Sequence, residues 1–168
     1  MITGNYSLLN LKKKKLLIEA GKTEKYLSFI DKGIFRLYIP RESEDLTFGF
    51  AFEGNFISAY DSFLTQMPCT YSIQALVDTT VWQISYDNLQ NIYEISKEGN
   101  FIGRLAGESL YLQKARREIS FLTNSAEERY LALFSQKPEL FKYIPLKYIA
   151  SYIGITPQAL SRIRKRIT

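Results

Sequence analysis

Apolar and polar positions along the chain follow three rhythms. Between Lys15 and Ser85 the apolar residues come in short runs: Leu16–Ile18, Tyr26–Ile30, Ile34–Ile39, Leu46–Phe52 and Ser72–Ile84. Gly21, Asp31 to Gly33, Pro40 to Asp45 and Glu53 to Asn55 separate them. Close-spaced runs with Gly-containing turns predict a small antiparallel barrel or roll. In the second run Tyr26, Ser28 and Ile30 oppose Leu27 and Phe29, so apolar residues fall on both faces and some strands are expected to be covered on both sides. Met1–Leu11 carries no such rhythm and is expected to be a loose lead-in.

The second rhythm is helical. Asp87–Ile95 predicts a short helix, and Glu98–Leu122 a longer one. Positions 101, 105, 108, 112, 115, 119 and 122 hold Phe, Leu, Glu, Leu, Ala, Ile and Leu, an alternating spacing of 4 and 3 in which Glu108 is the one polar residue. That is the seam of a coiled coil about three heptads long, which predicts a dimerisation helix. A single helix packed on the roll would tolerate the same stripe. Lys114, Arg116, Arg117 and Glu118 fall on its wetter sides. Thr123, Asn124 and Ser125 then form a polar break, and the domain boundary is expected there, giving domains 1–124 and 125–168. Ser125 with Glu128 three residues on has the form of a capping box. Ala126–Ser135 follows as a helix with Tyr130, Leu131 and Phe134 inward, Pro138 ends it, and Glu139–Ile144 leads into the last segment.

That segment, Pro145–Thr168, reads as helix, tight turn, helix. Leu146, Ile149, Ala150 and Ile153 share one helical face. Gly154 tolerates the left-handed backbone that ends a helix, Thr156 can cap the next one, and Pro157 suits its first position. Leu160, Ile163 and Ile167 make the inner face of the second helix, while Gln158, Ser161, Arg162 and Lys165 point the other way. Two short helices, a Gly turn and a basic outer face describe a helix-turn-helix. The plain alternative is a helical hairpin with a solvated basic face. Charge separates the two. Residues 1–124 carry 14 Lys+Arg and 14 Asp+Glu, whereas 125–168 carry 8 and 3, and from Leu140 onward there is no acid at all. A face that meets only water mixes signs; one that meets phosphate does not.

Composition narrows the rest. With 46% hydrophobic residues, 12 Tyr and 11 Phe, a packed core can form. The single cysteine cannot make an internal disulfide, which suits a reducing, cytoplasmic setting. The absence of histidine removes His-based catalysis, and there is no Cys/His cluster for zinc or an iron–sulfur centre. Apolar runs are too short for a membrane span, and no secretory signal is expected from the Lys12–Lys15 run. Neither a Gly-rich phosphate loop nor a catalytic dyad is present, so no enzyme activity, cofactor or metal is expected.

Roll, long helix, break and terminal helix-turn-helix, in that order, resemble the Crp/Fnr (cyclic-AMP-receptor and fumarate-nitrate-regulator) family of bacterial transcription regulators. The resemblance runs from about Lys15 to the end. It rests on the spacing of Gly21, Gly33 and Gly54, on the run Val81 to Tyr86, and on Ile149 to Thr156 with Ser161 and Arg162 following. It implies an α+β fold: a cyclic-nucleotide-binding-like β-roll, a dimerisation helix and a C-terminal helix-turn-helix domain. Three departures accompany it. The Gly-Glu pair and the Arg that hold a cyclic nucleotide in the family fall here on Ser58 and Ala59 and on Cys69, so cyclic-nucleotide binding is not expected. An effector pocket would be lined by Ser58, Ala59, Tyr60, Cys69 and Thr70. The family's helix ahead of the roll is short or missing, and contacts from a β-hairpin wing beyond the second helix are expected to be absent.

Cys69 reads either as a redox-sensing thiol or as a small half-buried core residue; without a basic neighbour in Pro68–Ser72 the second is favoured. Phe52, Phe56, Tyr60, Phe63 and Tyr71 read as core, or as the lining of an apolar pocket. The function expected is that of a DNA-binding transcription regulator, a homodimer on palindromic double-stranded DNA, with an effector of unknown identity. Gln158 is placed to pair adenine and Arg162 guanine, with Ser161 able to reach a base edge or a phosphate. Lys165, Arg166 and Lys147 are placed for phosphates, and Arg164, nearer the inner edge, for a bridge within the domain. The alternative is a ligand- or partner-binding roll that has lost sequence-specific DNA binding, which leaves the acid-free basic end unexplained.

Overall fold

The structure, a computed structural model, describes residues 6–136, 138 and 140–167, without the side chains of 136, 140 and 167. Met1 to Asn5, Glu139, Thr168 and the inner-face side chain of Ile167 thus lie outside the described residues. Where a loose lead-in was expected, Tyr6–Leu11 is a strand, β1. Its adjacent leucines hide the alternation: Leu9 and Leu11 pack on the core, while Tyr6 and Leu8 face outward. The runs Leu16–Ile18 (β2), Tyr26–Lys32 (β3), Ile34–Ile39 (β4) and Leu46–Phe52 (β5) form strands as their patterns predict. Phe56–Ile57 (β6) and a six-residue helix, Tyr60–Thr65 (α1), follow in a stretch the pattern left unassigned.

The long run from Ser72 to Ile84 is two strands, not one: Ser72–Ala75 (β7) and Thr79–Ser85 (β8). Asp78 marks the break. Its carboxylate accepts the Lys13 backbone N–H at 2.8 Å and the Lys12 ammonium at 2.9 Å. The break lets the chain change sheets. One antiparallel sheet has the order β1-β8-β3-β6 and the other β2-β7-β4-β5. Ile30, Phe35, Ile73 and Val81 fill the space between them and are fully buried. The outer face of the first sheet is less covered than expected. Leu8 pairs with Trp82, Trp82 with Phe29, and Phe29 with Phe56, and all four are between 36% and 53% exposed. Phe56 is therefore not core, whereas Phe63 is fully buried.

By contact the chain divides into Met1–Asn88 and Leu89–Thr168. The division falls inside the helix Tyr86–Ile95 (α2). The second unit continues with Lys97–Thr123 (α3), Ala126–Gln136 (α4), Leu140–Tyr143 (α5), Leu146–Ile153 (α6) and Pro157–Ile167 (α7). Ser96 caps α3 by accepting the Gly99 N–H. None of the residues of α3 is buried. At the start of α4 the capping box forms as its spacing predicts. The Ser125 hydroxyl accepts the Glu128 N–H at 3.2 Å, and the Glu128 carboxylate accepts the Ser125 N–H at 2.7 Å. Of the three side chains expected inward on α4, only Tyr130 is buried, and Leu131 and Phe134 are exposed. Tyr130 and Phe134 still meet Phe141 of α5, with ring centroids 5.5 and 5.1 Å away.

Candidate functional site

The last two helices are built from a narrow apolar contact. Ile149, Ala150 and Ile153 of α6 and Leu160 and Ile163 of α7 are buried; Leu146, expected beside them, is exposed. Between the helices Gly154 has φ +81°. Its N–H reaches the Ser151 carbonyl and the Ile155 N–H reaches the Ala150 carbonyl, which together make a Schellman turn. The Thr156 hydroxyl accepts the Ala159 N–H at 3.2 Å and caps α7. Local chemistry thus sets both helix ends, and the angle between the helices follows from the turn.

With Leu160 and Ile163 inward, Gln158, Ser161, Arg162, Lys165 and Arg166 are all exposed, on one continuous surface of α7. Arg162, Lys165 and Arg166 line a shallow groove together with Ala126, Ile155 and Ala159. Lys147 is exposed in the first turn of α6. Arg166, expected to be poised for phosphate, already has a partner, because its guanidinium lies 2.9 Å from the Glu127 carboxylate in the first turn of α4. Both groups are solvated, so the pair holds by at most about 1 kcal/mol and a phosphate can displace it. Arg166 thus makes a bridge within the unit.

A second cluster lies in the roll. Ser58, Ala59 and Tyr60 stand together at the start of α1, and Cys69 belongs to the same core as Ala59. Thr70 is exposed. What pattern reading missed is Glu24, which is only 5% exposed. Its carboxylate accepts the backbone N–H groups of Lys25 at 3.0 Å, Tyr26 at 3.1 Å and Ala59 at 3.3 Å. Its own N–H donates to the Ser62 hydroxyl, which in turn donates to the Met67 carbonyl. Burial pushes the Glu24 carboxyl up, against the opposing pull of the three N–H groups. Only its place next to a turn, Gly21 to Thr23, could have hinted at such a role. Burial likewise pushes the Cys69 thiol up, and its sulfur lies 3.2 Å from the Tyr71 carbonyl. The Tyr71 hydroxyl donates to Asp61 at 2.6 Å and is held protonated by burial and that carboxylate. Of the residues expected to line an effector pocket, Ala59 and Cys69 are buried, and the Ala59 N–H is already bonded to the Glu24 carboxylate. A second anion placed there would be repelled.

A family model for the cyclic nucleotide-binding domain matches residues 8–96, more than half of the chain. The chain belongs to the cyclic nucleotide-binding domain family. No match is found among curated proteins. Solved structures of this family's fold resemble the chain over almost its whole length. A CooA variant from Carboxydothermus hydrogenoformans is 16% identical, with 96% of this chain and 76% of that one covered and a TM-score of 0.76. A protein described as a Crp/Fnr-family transcriptional regulator from Eubacterium rectale is 15% identical, covering 96% of this chain and 78% of its own, with a TM-score of 0.76. FixK2 from Bradyrhizobium japonicum is 15% identical, covering 96% and 84%, with a TM-score of 0.75. At these identities the likeness is one of fold. The cyclic nucleotide-binding-like roll, the long helix and the helices after it are the shared parts. Among the described residues, no helix is long and apolar enough to cross a membrane.

Proposed function

We propose that the chain is a DNA-binding transcription regulator of the Crp/Fnr type, a homodimer on a two-fold operator, working without a cyclic nucleotide. In this reading 125–168 is a helix-turn-helix reading domain, and 1–124 is the sensor with its dimerisation helix. The observation that carries it is the surface of α7. It exposes Gln158, Ser161, Arg162 and Lys165 together, in a segment that has no acid from Leu140 on. A helix that offers amide, hydroxyl and guanidinium groups in one row suits the major groove, where Gln pairs adenine and Arg guanine. Support for the dimer comes from α3. Phe101, Leu105, Leu112, Ile119 and Leu122, the apolar members of the seam apart from Ala115, are all exposed within this chain. A second copy would remove that stripe from water. The roll's Glu24 supports an effector that is neutral or cationic rather than a phosphate ester.

The test is selection of bound DNA from a random pool, followed by titration of variants at several salt concentrations. A palindromic site with half-sites about 34 Å apart is expected. Arg162→Ala should cost about 1–3 kcal/mol on that site and relax one base position per half-site. Lys165→Ala should weaken all sequences alike and lower the salt slope by about 0.9 per lost contact. Equal, sequence-independent losses for the two would mean that α7 grips only the backbone. No retained DNA at low salt would reject the reading.

A further inference from the structure

The carboxyl end of α6 is held by two arginines from elsewhere in the second unit. Arg117, near the end of α3, donates to the Tyr152 carbonyl at 3.0 Å. Arg129, on α4, donates to the Ile153 carbonyl at 3.0 Å and to the Asn124 carbonyl at 2.5 Å. Carbonyls in the last turn of a helix have no partner within it, and the negative end of the helix dipole favours cations there. Both guanidiniums also lie against one ring. Phe121 of α3 is 4.4 Å from the Arg117 carbon and 4.5 Å from that of Arg129. The same ring rests on the turn itself, since a Cβ at Gly154 would come within 2.7 Å of Phe121 Cε1. Gly154 is therefore required twice, for its backbone and for the ring's approach. Arg117 Nε is buried without an acceptor among the described residues. That N–H costs stability, which the ring and carbonyl contacts of the side chain must offset.

We propose that Arg117, Phe121 and Arg129 form a latch that ties the end of the long helix to the α6–α7 turn and so sets the direction in which α7 is presented. The inference rests on the reading of α7 as the DNA-reading helix. The latch spans the break at Thr123–Ser125, where the chain alone would leave α4–α7 free to turn about α3. Arg117 and Phe121 move with α3, whereas Tyr152, Ile153 and Gly154 move with α7. A displacement of the end of α3 therefore reaches the reading surface through these contacts. The three are positioning residues and need not touch DNA.

The experiment measures orientation and binding separately. Nitroxides are placed on Gln113→Cys and Ser161→Cys in a Cys69→Ser background, and the distance between them is read in DNA-free, spin-diluted protein. The latched chain should give one narrow distance. Phe121→Leu and Arg117→Leu should broaden it, and Phe121→Tyr, which keeps the aromatic face, should keep it narrow. Without labels, Phe121→Leu should lose affinity for the selected site on the order of tenfold. Base preference and salt slope should stay unchanged, and Phe121→Tyr should restore binding. Circular dichroism separates loss of fold from loss of orientation; should Phe121→Leu unfold, Arg129→Lys replaces it. A narrow distance in both leucine variants would overturn the latch, as would an affinity loss that comes with a changed salt slope. Wild type that binds no DNA would reject the functional reading, while the distances would still decide the latch.

Discussion

Glu24 and Gly154 carry more than their residue types suggest. Glu24 is a buried acid whose carboxyl is held above its ordinary 4.5, chiefly by burial. Between that value and the raised one, the folded protein binds a proton that the unfolded chain has released. The stability this group contributes is therefore greatest below 4.5 and is lost as pH rises through the native value. Glu24→Gln removes the titration and places an amide against one of three N–H donors. It should destabilise the roll by about 1–3 kcal/mol through that unpaired donor, and its deficit relative to wild type should shrink as pH rises. Urea unfolding of both proteins across that range checks this; a constant deficit would mean that Glu24 does not titrate there.

Capping and seam act at the level of the element. The Ser125–Glu128 box satisfies two N–H groups that begin α4, and the Ser125 N–H holds the Glu128 carboxyl below its usual range. Ser125→Ala should cost about 0.5–2 kcal/mol, read from thermal melting. The same box starts α4 where α3 ends, so it also fixes the length of the link that the latch spans. For α3 the stripe is exposed, and the proposed partner is a second copy. Leu105→Glu with Leu112→Glu would set charges at two seam positions and should give monomers by light scattering. A wild type that is already monomeric at tens of micromolar, on the order of ordinary dimer affinities, would remove the dimer from the reading.

Charge is arranged at the scale of the whole molecule. Acids and bases balance over 1–124, and the excess of cations lies in 125–168. The roll keeps an internal carboxylate next to Ala59, where the family resemblance sets the nucleotide's partners. Cyclic AMP should therefore give no saturable heat in calorimetry at micromolar concentrations, about the range of ordinary ligand affinities. Binding in that range would mean that Glu24 moves aside or takes up a proton. Glu24→Gln tested alongside would separate these outcomes from a pocket that is simply closed.

Much of the fold was legible in sequence where the interaction is local. Four strands, the long helix, the capping box, the Schellman turn and the Thr156 cap each depend on residues within a few positions of one another. Spacing is enough to read such features, because backbone hydrogen bonds and side-chain periodicity are set over one or two turns. Contacts between distant residues escaped it. β1 becomes a strand because Leu8 meets Trp82, and the run from Ser72 to Ile84 breaks because Asp78 turns back to Lys12 and Lys13. Glu24 looks like a surface acid until Ala59 and Ser62 close over it. The exposed row of α7 followed from period alone, since burying Leu160 and Ile163 forces Gln158, Ser161, Arg162 and Lys165 outward. That Arg166 meets Glu127, and that Arg117, Arg129 and Phe121 close on the turn at Gly154, was decided only when the packed helices brought together residues that no pattern along the chain relates.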